Sequence, residues 1–415
     1  MDANAILKKN FRYNLLEGTL YLSTNPILYA PVFFPALIRN LGGGSLAVGA
    51  FPVMVYLVYF LPQVFAAHYA TTMPFRKPFV VRWGMVQRML VLFLGVVIGM
   101  FGASMQTLAL FGLFVLFSLN QAAAAITAPA WFDLVVKTTT DTDRGKLMGL
   151  RTASGSILGL VNSAVLTYVI GTVVFPLNYA AIILLMFMLQ SLSLVVLNRV
   201  EEVEPSPVRE AMPLSKLYER IKAILENDAV FRQFLISAAL LTIGLMPFGF
   251  FLIAAMTRYS LGESYVGWFT STIVFTQIFS GVALGYLADR YGHRFTLLIC
   301  ATATCGASLV ALASNNVWYY FVVFFMVGVN LSLELITRYN FAVDCAPEND
   351  RPMYIGLMNA WLAPWYCFSF LGGWVVDEFG YEVVFGGGLV FAVIGIVVLV
   401  LTPDPRRAKL ALSSK

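Results

Sequence analysis

Charge is what this chain has least of: Asp, Glu, Lys and Arg make up 12% of its 415 residues, against roughly 25% in an ordinary soluble domain. Titratable chemistry is equally sparse. There are two histidines, and Cys300, Cys305, Cys345 and Cys367 show neither a Cys-x-x-Cys spacing nor a neighbouring His. They read as small buried hydrophobes rather than metal ligands or a redox pair. The sequence has no Gly-x-Ser-x-Gly elbow and no Gly-rich lysine loop for a nucleotide, which argues against an enzyme or an ATP-driven pump. No cofactor and no metal are expected. Met1–Asn10 lacks a short apolar core ending at a small-residue cleavage site, so no removable signal peptide is read and the first crossing is expected to stay in the protein.

What the chain has instead is apolar length, with 59% of its residues hydrophobic. Met89–Phe132, Thr152–Asn198 and Phe295–Leu333 contain no Asp, Glu, Lys or Arg, and each far exceeds the ~20 residues that one helix needs to span a bilayer. A weakly polar turn divides each into two crossings. Tyr13–Ile38, Ser45–Ala67, Gln233–Thr257, Ser264–Ala288, Pro352–Val376 and Val383–Pro403 supply one each, giving twelve. The chain is therefore expected to be an all-α integral membrane protein. Of 27 Lys and Arg, only Arg39 and Arg258 fall near the turns assigned outside, while Lys8, Lys9, Arg76, Lys77, Lys137, Arg144, Lys146, Arg220, Lys222, Arg406 and Arg407 mark the other side. By the positive-inside rule both termini are cytoplasmic, in the plasma (inner) membrane. The same bias accounts for the net charge of +5 without a nucleic-acid partner.

Asp143-Arg144 followed by Gly149-Leu150 returns as Asp350-Arg351 followed by Gly356-Leu357, at a constant offset of 207. This internal repeat divides the chain into two pseudo-symmetric six-helix bundles, 1–197 and 229–415, joined by a cytoplasmic linker, 198–228. An even number of crossings per half makes the repeats parallel. In the linker, Glu201–Glu210 is charged and contains prolines. Beyond Pro213, Leu214, Leu217, Ile221, Ile224 and Leu225 fall on one side of a predicted surface helix, which fits a passive connector lying on the cytoplasmic face.

Between two apolar runs stands Gly285-Tyr-Leu-Ala-Asp-Arg-Tyr-Gly-His-Arg294. Gly285 and Gly292 are expected to permit close approach, Asp289 to meet a helix N-terminus or a basic group, and Arg290 and Arg294 to hold the turn in the cytosol. This Gly-x-Leu-Ala-Asp-Arg-x-Gly-x-Arg pattern resembles the signature loop of the major facilitator superfamily. The resemblance implies a twelve-helix secondary transporter in which this loop takes part in gating. The first-half position, Ala66–Pro78, keeps Arg76 and Lys77 but lacks the acid and the glycines. His68 there reads as an interfacial residue. Many proton-coupled members carry an Arg in the fourth helix followed by Gln and Gly; here Ser118, Gln121 and Ala122 stand nearest those places.

The intramembrane polar residues are the candidates for handling solute or protons, because charge in hydrocarbon is expensive. Asn14, Glu17, Tyr21 and Thr24 share one face of the first crossing, which should face a cavity, with Arg12 as a possible partner for Glu17. Asn120, Thr127 and Trp131 share a face of the fourth, near Asp133, and Asn330, Glu334 and Arg338 follow one another at i, i+4 and i+8 in the tenth. Glu334 and Arg338 are thereby within reach of each other. Arg88 has to snorkel or find an acid, and Gly95-x-x-x-Gly99 lets a neighbouring helix approach. The function expected is alternating-access movement of a small, apolar or weakly polar solute by a monomer surrounded by lipid, with Glu17 and Glu334 as proton-coupling candidates. Uptake of a charged metabolite such as a carboxylate, and a receptor or scaffold on a transport fold, are the alternatives. The topology has a direct check: in intact cells Ser206→Cys should resist membrane-impermeant thiol reagents added outside, and strong labelling would reverse the orientation.

Overall fold

The computed structural model describes residues 3–28, 31–70, 73–203, 205, 214–347 and 350–405, and every regular element among them is a helix. Among the described residues nine helical stretches, Ala229–Tyr259 counted as one, are long and apolar enough to cross a bilayer, and Ser45–Phe60 is a shorter apolar stretch. The side chains of His68, Leu214 and Leu217 lie outside the described residues, as does most of the linker between 204 and 213.

The first crossing is not the continuous helix expected over Tyr13–Ile38. Helix α1 (Ala3–Leu22) starts earlier, and a single turn α2 (Asn25–Leu28) and a short α3 (Phe33–Asn40) follow it. Pro26, Pro31 and Pro35 are the cause, since each removes a backbone donor and its ring crowds the preceding turn. Carbonyls near the first break are answered locally: Ser23 Oγ donates to Leu20 O at 2.7 Å and Thr24 Oγ1 to Tyr21 O at 2.8 Å. In a bilayer such groups have no water to turn to. Then come α4 (Ser45–Ala70), α5 (Lys77–Phe101), α6 (Gln106–Lys137), α7 (Asp141–Thr172) and α8 (Leu177–Leu197). Helix α5 packs on α6 and α8, and α1 on α7 and α8. The expected close approach at Gly95 and Gly99 is made by α8, with Leu184 and Ala180 against the places where their β-carbons would be.

After the amphipathic α9 (Leu214–Asn227), the seventh crossing is broken into α10 (Ala229–Gly244) and α11 (Phe248–Tyr259). The break falls between Gly244 and Pro247, and tighter i→i+3 bonds such as Met246 N to Ile243 O at 2.9 Å carry the chain across it. Helices α12 (Ser264–Tyr291), α13 (His293–Leu312) and α14 (Trp318–Cys345) are continuous. The eleventh crossing, read as one helix, is α15 (Arg351–Leu362) and α16 (Phe368–Phe379) joined by a 3₁₀ turn at Ala363–Cys367 that contains Pro364. Helix α17 (Tyr381–Leu401) is the last.

Two compact units result. The described residues of Met1–Gly43, Met54–Ala211 and Glu263–Val274 form the first, and those of Gly44–Val53, Met212–Gly262 and Phe275–Lys415 the second. The first turns of α4 therefore belong to the second unit and those of α12 to the first. In the first unit, the start of the linker is tied down by charge. Glu202 accepts from the backbone N–H groups of Arg76 and Lys77 at 2.9 and 2.8 Å and from Lys137 Nζ at 2.6 Å, placing a carboxylate on the positive end of α5. Lys9 hydrogen-bonds to Glu201, and its ammonium holds that carboxyl below the ordinary range. In the second unit, Phe231, Phe234, Phe341, Met358 and Leu399 form an apolar core on which Tyr354 closes, and Arg220 pairs with Asp350 to hold α9 to the start of α15.

Within the second unit, a β-carbon at Gly373 would lie 2.4 Å from the Ser45 carbonyl oxygen, and one at Gly49 would lie 2.3 Å from that of Ser369. Gly373→Val should therefore cost about 1–3 kcal/mol through overpacking. Gly386→Ala, at a position with nothing within 4 Å, should cost nothing measurable in the same thermal melt of detergent-solubilised protein.

Candidate functional site: two buried acid–base pairs

The polar stripe of α1 does not face open space; each member reaches a partner inside the first unit. Asn14 Nδ2 donates to Thr138 Oγ1 at 3.2 Å, and Thr24 Oγ1 accepts from Gln190 Nε2 at 3.1 Å. Glu17 pairs with Arg151 of α7, Oε2 to Nη2 at 2.8 Å, and not with Arg12. Both side chains are almost completely buried, at 6% and 3% exposure, and Ser193 Oγ donates to the other carboxylate oxygen at 3.4 Å. The Arg151 guanidinium lies 4.8 Å from the Trp131 ring centroid, a cation–π contact that strengthens on desolvation. Its Nη1 has no hydrogen-bond partner among the described residues. Gly18 makes the arrangement possible, because a β-carbon there would lie 2.1 Å from Arg151 Nε.

Arg88, one layer away, neither snorkels nor finds an acid. It donates to the carbonyls of Gln190 and Gly84 at 3.0 and 3.1 Å and to Gln87 Oε1 at 3.2 Å, and lies over the Tyr21 ring. Gln87 then donates to Thr127 at 3.1 Å and its carbonyl accepts from Asn120 at 3.1 Å. Asp133 stands apart from this core: 40% exposed, it accepts from Arg76 Nε at 2.7 Å.

In the second unit, Glu334 and Arg338 form the expected pair one turn apart on α14, with Arg338 fully buried. Arg338 Nη1 donates to Thr242 Oγ1 at 2.8 Å, while its Nε has no partner among the described residues. Asn330 faces α13, donating to Thr304 Oγ1 at 3.0 Å and Cys300 O at 3.3 Å. No group of three or more His, Cys, Asp or Glu that could hold a metal occurs among the described residues.

The signature turn is a single residue. Gly292 links α12 to α13 with φ +91°, a left-handed conformation that costs glycine nothing. Arg294 donates to Leu399 O at 3.1 Å and to Val400 O, at the carboxyl end of α17. Arg290 lies over Tyr291. Asp289 is exposed within the last turn of α12, and a β-carbon at Gly285 would meet nothing within 4 Å. The repeat turns differ from each other: Asp143 is capped by Thr140, and Arg144 donates to Val136 O at 3.3 Å, whereas Asp350 pairs with Arg220 and Arg351 opens α15. Gly149 and Gly356 both face open space.

Arg151 is the site residue that sequence reasoning missed. It stands just before a charge-free run, but α7 begins at Asp141, so Arg151 lies about 15 Å along the helix at 1.5 Å per residue. Extending the helix back to its N-cap, Thr140, would have placed it inside.

Comparison with known proteins finds the same architecture elsewhere. The sequence profile of the Major Facilitator Superfamily matches residues 234–415. The second half of the chain is thus similar to the major facilitator superfamily. Among its curated relatives, the 4-hydroxybenzoate transporter PcaK of Pseudomonas aeruginosa is 25% identical over 216 residues, 51% of this chain and 46% of the relative, so the match spans about half of that protein's length. The nucleoside transporter NupG superposes with a TM-score of 0.73 at 10% identity, covering 95% of this chain and 99% of that one. A POT family transporter in complex with 5-aminolevulinic acid gives 0.69 at 13% identity, with 96% of each chain covered. At such identities the two structures speak for the fold alone.

Removing one partner of a buried pair leaves an uncompensated charge, which costs about 3–5 kcal/mol. Glu17→Gln should thus lower the melting temperature more than Glu17→Gln combined with Arg151→Met does. Strictly additive losses in this double-mutant cycle would mean that the two groups do not stabilise each other.

Proposed function

We propose that this chain is a secondary transporter that moves a small, largely apolar or aromatic solute bearing one carboxylate, by alternating access and with proton coupling. Its likeness to the superfamily's profile over 234–415 and to a curated transporter supports a membrane transporter rather than an enzyme. The observation that carries the solute class is Arg151: a buried guanidinium with one unpartnered nitrogen, held on a tryptophan face and neutralised by a single carboxylate. A guanidinium fork beside an aromatic plane suits an aromatic acid, giving charge-assisted hydrogen bonds to its carboxylate and ring contact to its body. The partial likeness to a 4-hydroxybenzoate transporter supports the same class. This narrows the expected apolar or weakly polar solute towards the carboxylate alternative.

Proton coupling follows from the same pair. While Glu17 is ionised it holds Arg151; when a proton neutralises it, Arg151 is released to the solute carboxylate, and loss of the proton restores the ion pair and expels the solute. Glu334 and Arg338 offer a second pair for the same exchange. In proteoliposomes with an acidic exterior, wild type should accumulate 4-hydroxybenzoate but not its neutral amide. Removing a charged hydrogen-bond donor costs about 1.5–3 kcal/mol, so Arg151→Gln should weaken uptake by roughly 10- to 100-fold. Glu17→Gln should abolish the response to the pH gradient. Equal uptake of acid and amide would refute the solute class, and flux indifferent to the gradient in wild type would refute the coupling.

A further inference from the structure

The first unit carries a concave groove of about 840 Å³ on α5, within the ~300–1,000 Å³ range of sites that enclose small ligands. Lys77, Arg82, Met85, Met89, Phe93 and Asn198 line it, and no acidic residue does. Met85, Met89 and Phe93 are 55%, 39% and 55% exposed. With Arg82 they stand at i, i+3, i+7 and i+11, a single stripe along the helix. The opposite face of α5, with Gln87, Arg88, Val91 and Leu94, is buried, so the stripe is the side of this membrane helix turned away from its own unit.

Three features set this groove apart from ordinary lipid-facing surface. Arg82 is exposed and makes no hydrogen bond or ion pair with the described residues, whereas the basic groups around it are neutralised: Arg76 by Asp133, Lys137 by Glu202 and Lys9 by Glu201. The eleven steps from Arg82 to Phe93 rise about 16 Å, close to half of the ~30 Å hydrocarbon thickness. A guanidinium near the N-terminal end of a membrane-length helix therefore begins an apolar trough about half a hydrocarbon layer long. Finally, thioether side chains adapt to irregular flexible partners, and two methionines form the floor.

We infer that this groove binds one anionic phospholipid, its phosphate on Arg82 and Lys77 and an acyl chain along Met85, Met89 and Phe93. A guanidinium meets phosphate oxygens through paired N–H donors, and Lys77 adds a second charge. A zwitterionic headgroup would bring an ammonium into a lining that offers it no acid.

The test is native mass spectrometry of the full chain relipidated with equal amounts of phosphatidylglycerol and phosphatidylcholine carrying the same acyl chains. Wild type should retain a single phosphatidylglycerol in preference. Arg82→Gln should lower that preference about fivefold, which corresponds to the ~1 kcal/mol that one basic residue contributes near an anionic lipid surface. Arg82→Lys should keep most of it. Met89→Trp, which fills the trough, should lower retention of both lipids without changing their ratio. An unchanged lipid ratio in Arg82→Gln would reduce the groove to ordinary annular contact, and displacement of the lipid by soluble glycerol 3-phosphate would make it a phosphate site without a lipid.

Discussion

An arginine in hydrocarbon must be answered on all sides, and most of what is specific in this structure comes from how three arginines are answered. Insertion scales put the cost of a central charge at about 2.5–3.5 kcal/mol, enough to dictate the packing around it. Arg151 takes a carboxylate from α1 and the face of Trp131. Arg338 takes a carboxylate one turn earlier on its own helix and a hydroxyl from α10. Arg88 takes no acid at all, only carbonyls, an amide and the Tyr21 ring. Each answer fixes a helix–helix contact: α1 to α7, α14 to α10, α5 to α8. The absence of a side chain at Gly18 belongs to the same requirement, since the Arg151 stem crosses α1 there.

The two halves repeat their turn residues but not their buried charges. At the repeat offset of 207, Trp131 stands where the second half has Arg338, and Arg151 stands where it has Met358. The cation is therefore carried by α7 in the first unit and by α14 in the second, and the aromatic partner exists only in the first. A repeat whose turn residues recur while its buried charges move is symmetric as a scaffold and asymmetric as a site.

How much of this could be read beforehand depended on distance along the chain. Length and apolarity alone delivered the crossings, and the Glu334–Arg338 pair was legible because it is local, one helical turn. The one-sided arrangement of Asn14, Glu17, Tyr21 and Thr24 was also legible, but not what it faces, since Arg151 is separated from Glu17 by most of the first half and its register follows from where α7 begins. Glu202 capping α5 across the first unit was beyond reach for the same reason. The broken crossings misled differently. Proline in an apolar run is tolerated in membranes because neighbouring groups re-satisfy the backbone, so Pro26 and Pro364 gave no clear stop signal.

Those breaks lead directly into the charged networks. At the first, Thr24 donates to the Tyr21 carbonyl and accepts from Gln190, whose own carbonyl accepts from Arg88. Just before the second, Thr242 donates to the Ala238 carbonyl at 2.8 Å and accepts from Arg338. In each unit a threonine hydroxyl thus spends its proton on the backbone next to a helix break and offers its lone pairs to a network that ends in a buried guanidinium. A hydroxyl is suited to this double duty because it is both donor and acceptor. Any change in the break's geometry moves the oxygen on which the network rests, and any change in the network's charge alters what holds the break in place. The first and seventh crossings are therefore the elements through which charge in either unit is coupled to helix shape.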